Sequence, residues 1–269
     1  MTPLQALVLG VLQGLAEFFP ISSSAHLALA PWAFGWEDPG LAFDVALHVG
    51  TLVAVLWYFR AEWMRLLAAP GAIVRRRSIA GTEERRLAYL VVGTIPGGIA
   101  GLLLERKADV AFRAPVLIAT ALIVMGVLLW VVDRVLPSRR ALPDFTWRDA
   151  AVIGVAQAFA IIPGVSRSGS TITAGRALAV ERESAAVFSF LLSMPIIAAA
   201  ALLKVPHLLA HGLTAPLVIG IVSAAASSWL AIAVVLRYVK THSYGVFAAY
   251  RVLLGVAVLV LAAYRARHG

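Results

Sequence analysis

The sequence predicts an all-α integral membrane protein with about six transmembrane helices and two re-entrant helical hairpins in an inverted-topology repeat. Its 269 residues are 61% hydrophobic and only 14% charged, whereas soluble domains average roughly 45–50% apolar and about 25% charged residues. So large an apolar excess does not fit inside a soluble core of this size, and lipid must cover it. Several apolar segments have the length of a membrane span, and two others are broken near the middle.

Six of the apolar segments are predicted to span the membrane. Four of them, 42–59, 114–132, 215–236 and 247–264, each supply about the ~20 residues that a bilayer core requires. Segments 87–104 and 184–203 contain Pro96 and Pro195. We therefore expect these two to be interrupted spans, which a membrane tolerates where neighbouring groups satisfy the freed backbone.

Segments 4–34 and 150–180 are cut near the middle by proline and serine clusters. Each piece, of roughly 12–16 residues, is too short to span, which predicts re-entrant hairpins. Gly10-Val11-Leu12-Gln13 recurs as Gly154-Val155-Ala156-Gln157, and the matches continue at Ser22 with Ser166 and Ser24 with Ser168. Three spans follow each hairpin, so the second copy is inverted. We predict repeats over 1–133 and 150–269, with the site where the hairpins meet near the midplane.

The basic residues predict the orientation. If the spans alternate, one side receives 15 of the 23 Lys and Arg residues and the other side receives 6, while Arg167 and Arg251 lie inside apolar segments. The richer side should be cytoplasmic, which places both termini outside. The net charge of +9 is then explained by topology and by contact with anionic membrane lipids rather than by nucleic acid. The chain has no cysteine, which excludes disulfides and thiolate metal sites.

Polar residues concentrate in the first hairpin. Gln13 and Glu17 are four residues apart and share a helix face, and their oxygens suit Mg²⁺ or Ca²⁺, so we predict them as metal ligands. Ser22, at the start of the next half-helix, should help to bind an anion. Ser23 and His26 share a helix face and form a candidate nucleophile and base. The alternative is that Glu17 is a structural residue paired with Arg167, a pairing that does not exclude a function.

The second hairpin contains Pro-Gly-Val-Ser-Arg-Ser-Gly-Ser-Thr at residues 163–171. Glycines permit a tight turn whose N–H groups can surround an anion, and the planar fork of Arg167 matches a phosphate. The predicted diphosphate-binding residues are Ser22, Ser166, Arg167, Ser168, Gly169 and Thr171. No Gly-Lys-Ser/Thr follows, so this is not a nucleotide-binding P-loop. Asp44, His48 and Arg251 lie in or at the ends of spans, and we interpret them as polar packing groups.

These motifs together resemble the undecaprenyl-diphosphate phosphatase family of the bacitracin-resistance type. That family has Glu or Gln, three residues and Glu, then a Ser-Ser run and a His, and later Pro-Gly-x-Ser-Arg-Ser-x-x-Thr. The matching positions here are Gln13, Glu17, Ser22-Ser23, His26 and residues 163–171. Gln13 in place of Glu leaves one carboxylate fewer for a metal, which weakens models with two carboxylate ligands.

The resemblance implies hydrolysis of undecaprenyl diphosphate to undecaprenyl phosphate and inorganic phosphate, with a divalent cation, in the bacterial cytoplasmic (inner) membrane. This reaction recycles the lipid carrier for peptidoglycan and confers bacitracin resistance, and a homodimer is expected. The predicted catalytic residues are Glu17, Ser23, His26 and Arg167. Ser23 is the preferred nucleophile with His26 or Glu17 as its base, and attack by water or His26 is the rival.

A transporter is the alternative class. Inverted repeats, broken helices and polar residues at mid-membrane are also typical of transporters, so a lipid-carrier flippase or a small-anion transporter fits the same pattern. A purely structural membrane scaffold is a third reading. It predicts that changing Glu17 or Arg167 affects only stability.

Overall fold

The computed structural model describes residues 1–111, 114–210 and 212–268, with the side chains of residues 41, 105–111 and 204–210 outside the description. The regular secondary structure of the described residues is helical apart from an isolated bridge between Arg140 and Val180. The helices are α1 Pro3–Phe18, α2 Ser23–Phe34, α3 Gly40–Tyr58, α4 Arg60–Arg76, α5 Thr82–Ala111, α6 Pro115–Val135, α7 Trp147–Ala158, α8 Arg167–Ala177, α9 Arg182–Ala210, α10 Ala215–Val239 and α11 Gly245–His268. Short 3₁₀ turns occupy Leu142–Asp144 and Phe159–Ile161.

Five of the described helices are long and apolar enough to cross a membrane, and α3 joined with α4 makes a sixth candidate. The expectation of multiple spans is therefore confirmed. The expected interruptions of 87–104 and 184–203 are wrong, because α5 runs through Pro96 and α9 runs through Pro195. A proline removes one backbone hydrogen bond, whereas ending a helix within lipid would expose several unpaired groups, so the helix continues.

Helix α4 was not predicted from the sequence. It follows α3 after a bend of 84°, so the axes of the two helices are nearly perpendicular. Its 17 residues include Arg60, Arg65, Arg75 and Arg76, with Leu66 and Ala69 buried. An amphipathic helix of this kind suits the boundary between lipid and water.

The four short helices form two hairpins, and neither arm of either hairpin can cross the membrane. Helices α1 and α2 have 16 and 12 residues, and α7 and α8 have 12 and 11 residues. At 1.5 Å per residue, each arm falls short of the ~30 Å hydrocarbon core. This agrees with the predicted pair of re-entrant hairpins.

Each hairpin packs against a span from the other half of the chain, and glycine makes the approach possible. Helix α1 packs on α10, where a β-carbon at Gly14 would lie 2.5 Å from the carbonyl oxygen of Ala224. Helix α7 packs on α5, where a β-carbon at Gly154 would lie 2.7 Å from the carbonyl oxygen of Gly93. Small residues let membrane helices come this close.

Candidate active site

The turns of the two hairpins have the same local structure. Each second helix is capped by a serine with positive φ, Ser22 at 75° and Ser166 at 72°. Their hydroxyls accept hydrogen bonds from the backbone N–H groups of Ala25 and Gly169. Serine tolerates this backbone region poorly, and strained residues of this kind concentrate at functional sites.

The two turns contact each other directly. The N–H of Gly164 donates to Ser22 Oγ at 3.1 Å. Arg251 is fully buried and donates to the carbonyl oxygens of Pro20 at 3.0 Å, Gly164 at 2.7 Å and Val165 at 2.9 Å. The arginine from α11 therefore joins one turn to the other. We expected a polar packing group at this position, and Arg251 packs between the hairpins.

Glu17, in the last turn of α1, lies at the centre of the site and is 5% exposed. Its Oε1 accepts from Arg167 Nη2 at 2.8 Å, and its Oε2 accepts from Ser23 Oγ at 2.6 Å. Gln13 Nε2 lies 3.3 Å from the same Oε2. A carboxylate, a hydroxyl and a guanidinium from two distant parts of the chain thus form one hydrogen-bonded group.

Arg167 is held on its other side by α9. Its Nη1 donates to the carbonyl oxygen of Ser189 at 2.7 Å. The hydroxyl of Thr171 lies 2.7 Å from Ser189 Oγ and also donates to the backbone carbonyl of Arg167. These bonds fix the guanidinium at the edge of the site with 12% of the side chain exposed.

A cavity of about 270 Å³ adjoins this group. Its polar wall is made by Glu17, Ser23, Ser24, His48, Gln157, Ser166 and Arg167. Its apolar wall includes Gly97 and Gly101 of α5 and Ile197 and Ala200 of α9. A polar end beside an apolar wall suits an amphipathic ligand with an anionic head.

Other predicted site residues lie behind this cavity rather than on its surface. Ser168 contacts Ser166 Oγ and the carbonyl oxygen of Phe19. The N–H of Gly169 is already taken by Ser166 Oγ. Ser168, Gly169, Thr171 and Ser22 therefore shape the turns, and Arg167 and Ser166 reach the cavity.

The structure does not bring His26 to Ser23. The His26 ring lies 2.7 Å from the carbonyl oxygen of Ser22 through Nδ1 and 2.7 Å from the hydroxyl of Tyr250 through Nε2. The Ser23 hydroxyl contacts Glu17 instead. Of the two candidate bases for Ser23, the geometry favours Glu17.

Sequence reasoning missed two residues of the cavity wall. His48 was interpreted as a packing group, yet its Nε2 lies 3.5 Å from Glu17 Oε2. Gln157 was recognised only as the repeat partner of Gln13. The signal for His48 was available, because an ionisable residue within a span usually marks function.

The fold and the site together define a polytopic membrane protein whose two short hairpins join a carboxylate, a serine and an arginine at one amphipathic cavity. The chain matches the family described as bacitracin resistance protein BacA over residues 6–257. It belongs to that family. This assignment agrees with the resemblance seen in the motifs.

Curated relatives are similar over nearly the whole chain. A protein of Gemmatimonas aurantiaca named undecaprenyl-diphosphatase is 57% identical, covering 98% of this chain and 100% of the relative. Proteins with the same name from Pelotomaculum thermopropionicum and Moorella thermoacetica are 49% and 50% identical, covering 98% and 97% of this chain.

Proposed function

We propose that this protein hydrolyses undecaprenyl diphosphate to undecaprenyl phosphate and inorganic phosphate. The observation that carries the proposal is the contact between Glu17, Ser23 and Arg167 at the polar end of an otherwise apolar cavity. The names of the relatives support the same activity. The activity recycles the lipid carrier for peptidoglycan and confers resistance to bacitracin.

Ser23 Oγ attacks the terminal phosphorus and loses its proton to Glu17 Oε2, which lies 2.6 Å away. A bond forms between Oγ and phosphorus, and the bond from phosphorus to the bridging oxygen breaks. Undecaprenyl phosphate leaves with the electron pair of that bond. Water then cleaves the phosphoseryl ester and releases inorganic phosphate. Arg167 binds the phosphoryl oxygens and stabilises their charge in the transition state.

The residues around Glu17 fit a divalent cation, Mg²⁺ or Ca²⁺. Gln13 is fully buried, and its Oε1 has no hydrogen-bond partner among the described residues. A half-turn of the amide exchanges Oε1 with Nε2, which places an oxygen ligand beside Glu17 Oε2. Glu17 and Gln13 would hold the ion, which when bound neutralises diphosphate charge.

The cavity wall also accounts for a lipid substrate. Gly101 and Ala200 belong to the C-terminal halves of α5 and α9. The orientation predicted from the basic residues puts the N-terminal ends of both helices on the cytoplasmic side. In that orientation the apolar wall lies in the outer half of the membrane, where it can receive the prenyl chain. We place the protein in the bacterial cytoplasmic (inner) membrane with both termini outside, the site open outward and a homodimer as the assembly.

The inverted repeat is part of the same proposal. Helix α1 packs on α10 and α7 packs on α5, so each hairpin rests on a span of the other half. Helices α3 and α9 contact each other, as do α6 and α11. This is the exchange of partners expected if 1–133 and 150–269 are related by a two-fold axis in the membrane plane.

Phosphate release from purified, detergent-solubilised protein tests the activity. Wild type should release phosphate from undecaprenyl diphosphate, and Arg167→Ala should lower kcat/KM by on the order of 10³-fold. Arg167→Lys should recover only part of this loss, because a lysine cannot bind phosphate through two parallel bonds. A flippase or transporter releases no phosphate, so a silent wild type would exclude the hydrolase.

A further inference from the structure

His48 is placed at the edge of the cavity by α3, with 29% of its side chain exposed. Its Nδ1 lies 2.7 Å from the backbone carbonyl oxygen of Asp44. A carbonyl oxygen only accepts hydrogen bonds, so Nδ1 carries a proton. Nε2 is then the ring atom that presents a lone pair, and it faces Glu17 Oε2 at 3.5 Å.

Two electron-pair donors that face each other at this distance need a positive charge between them. The charge is either a proton on Nε2 or a metal ion bound to both atoms. A histidine that donates its other N–H to a backbone carbonyl has the usual arrangement of a metal ligand, because that bond fixes the ring and its tautomer. The 3.5 Å separation is less than twice a metal–ligand bond of about 2.1 Å.

We propose that His48 Nε2 is a third ligand of the divalent cation, together with Glu17 Oε2 and the amide oxygen of Gln13. The inference rests on the proposed function only for the requirement for a cation. Arg167 occupies Glu17 Oε1, so the ion would bind Oε2, the oxygen that also accepts the hydrogen bond from Ser23 Oγ. An imidazole ligand favours transition-metal ions such as Fe²⁺, Ni²⁺ or Zn²⁺ over Ca²⁺, so the His48 ligand should raise the affinity of the site for those ions more than its affinity for Ca²⁺.

These three ligands also predict that the protein binds the divalent cation with only modest affinity when no substrate is present. No group of three His, Cys, Asp or Glu side chains suited to a metal occurs among the described residues. Two such side chains and one amide leave coordination positions open. Phosphate oxygens of the substrate can fill those positions, as they do for ions bound partly by phosphate.

Pulsed electron paramagnetic resonance of Mn²⁺ bound to the purified protein tests the proposal without substrate or turnover. We expect nitrogen modulation from a directly bound imidazole. Labelling all histidines with ¹⁵N should change that modulation in otherwise wild-type protein. His48→Gln should abolish it and weaken Mn²⁺ binding by about tenfold or more, with a smaller change for Ca²⁺.

Two control variants identify the histidine. His242→Gln removes an exposed ring that contacts Thr241, and the modulation should remain. His26→Gln should also leave it unchanged, because both His26 nitrogens have other partners. Loss in His26→Gln, persistence in His48→Gln, or bound Mn²⁺ with no nitrogen modulation in wild type would each overturn the proposal.

Phosphate release, measured separately, keeps this inference distinct from the proposed function. An active enzyme whose bound Mn²⁺ shows no histidine nitrogen refutes the His48 ligand and leaves the hydrolase standing. A protein with the nitrogen signal that releases no phosphate refutes the hydrolase and leaves the metal site standing.

Discussion

The two hairpins share a backbone and differ in chemistry. In each, a short helix leads to a turn that ends at a serine with positive φ, and that serine caps a second short helix. The next residue is Ser23 in the first hairpin and Arg167 in the second. The first hairpin thus supplies the hydroxyl and, through Glu17, the carboxylate, and the second supplies the cation that pairs with it.

The comparison shows how a repeated element becomes an active site. The contact between Gly164 and Ser22 joins the turns that precede α2 and α8, and the positive N-terminal ends of these helices favour an anion nearby. The first residue of the second helix then differs between the hairpins. Ser23 supplies the nucleophile, and Arg167 stabilises the charge of the phosphoryl group. The predictions below test this division of roles and then the features that both hairpins share.

The largest expected effect is at Ser23. Ser23→Ala removes the hydroxyl that contacts Glu17 and should lower kcat by on the order of 10³-fold. Ser24→Ala is the matched control, because Ser24 lines the same cavity but its hydroxyl contacts Ser22 rather than Glu17. Phosphate release measures both. Turnover of Ser23→Ala close to wild type would leave attack by water as the mechanism.

Among these variants, loss of Arg251, which joins the two turns, should lower the free energy of unfolding most. Arg251→Met leaves the carbonyl oxygens of both turns without their buried donor, which should lower the free energy of unfolding by about 3 kcal/mol or more. Arg265→Met is the control, since Arg265 also donates to two carbonyl oxygens but is exposed. Arg265→Met should lower the free energy of unfolding by less than about 1 kcal/mol. Equal effects in detergent unfolding would remove the special role of Arg251.

The glycine contacts should be equally important in both halves. Gly14→Val and Gly154→Val each force a side chain against backbone, which should cost about 2–3 kcal/mol of unfolding free energy. A β-carbon at Gly98 would meet nothing within 4 Å, so Gly98→Val is the control, limited to helix propensity. A cost at only one of Gly14 and Gly154 would contradict equivalent packing.

The smallest effect concerns the capping serines. Ser166→Ala loses the cap and keeps the strained backbone, and should cost about 1–2 kcal/mol. Ser166→Gly should cost less, because glycine adopts positive φ freely. The same order is expected at Ser22. Thermal unfolding measures all four variants. A smaller loss of stability for alanine than for glycine at either site would show that backbone strain at positive φ does not determine the effect.

Sequence patterns predicted the parts of the fold that composition controls. The presence of several spans followed from apolar length, and the hairpins followed from proline and serine clusters in segments too short to cross. The continuity of α5 through Pro96 was not predicted, because it depends on the neighbours of that helix. Helix α4 was also not predicted, because its many arginines are typical of a loop between spans. The structure instead continues as a helix after a bend of 84°.

Within the site, motif residues were easier to predict than their contacts. Glu17, Ser23 and Arg167 stand out as polar residues in apolar segments. Which base serves Ser23 depends on the side-chain rotations that turn His26 toward Tyr250. The place of His48 depends on the packing of α3 beside α1, which no local pattern reports.

A double-mutant cycle between Glu17 and Arg167 tests most directly whether the two hairpins form a single catalytic group. Glu17→Gln, Arg167→Ala and the double variant are compared with wild type by phosphate release from undecaprenyl diphosphate. Residues that act as a unit are non-additive, so the double variant should lose little more activity than the worse single variant. Losses that multiply would show that the two residues act independently and would contradict the shared site.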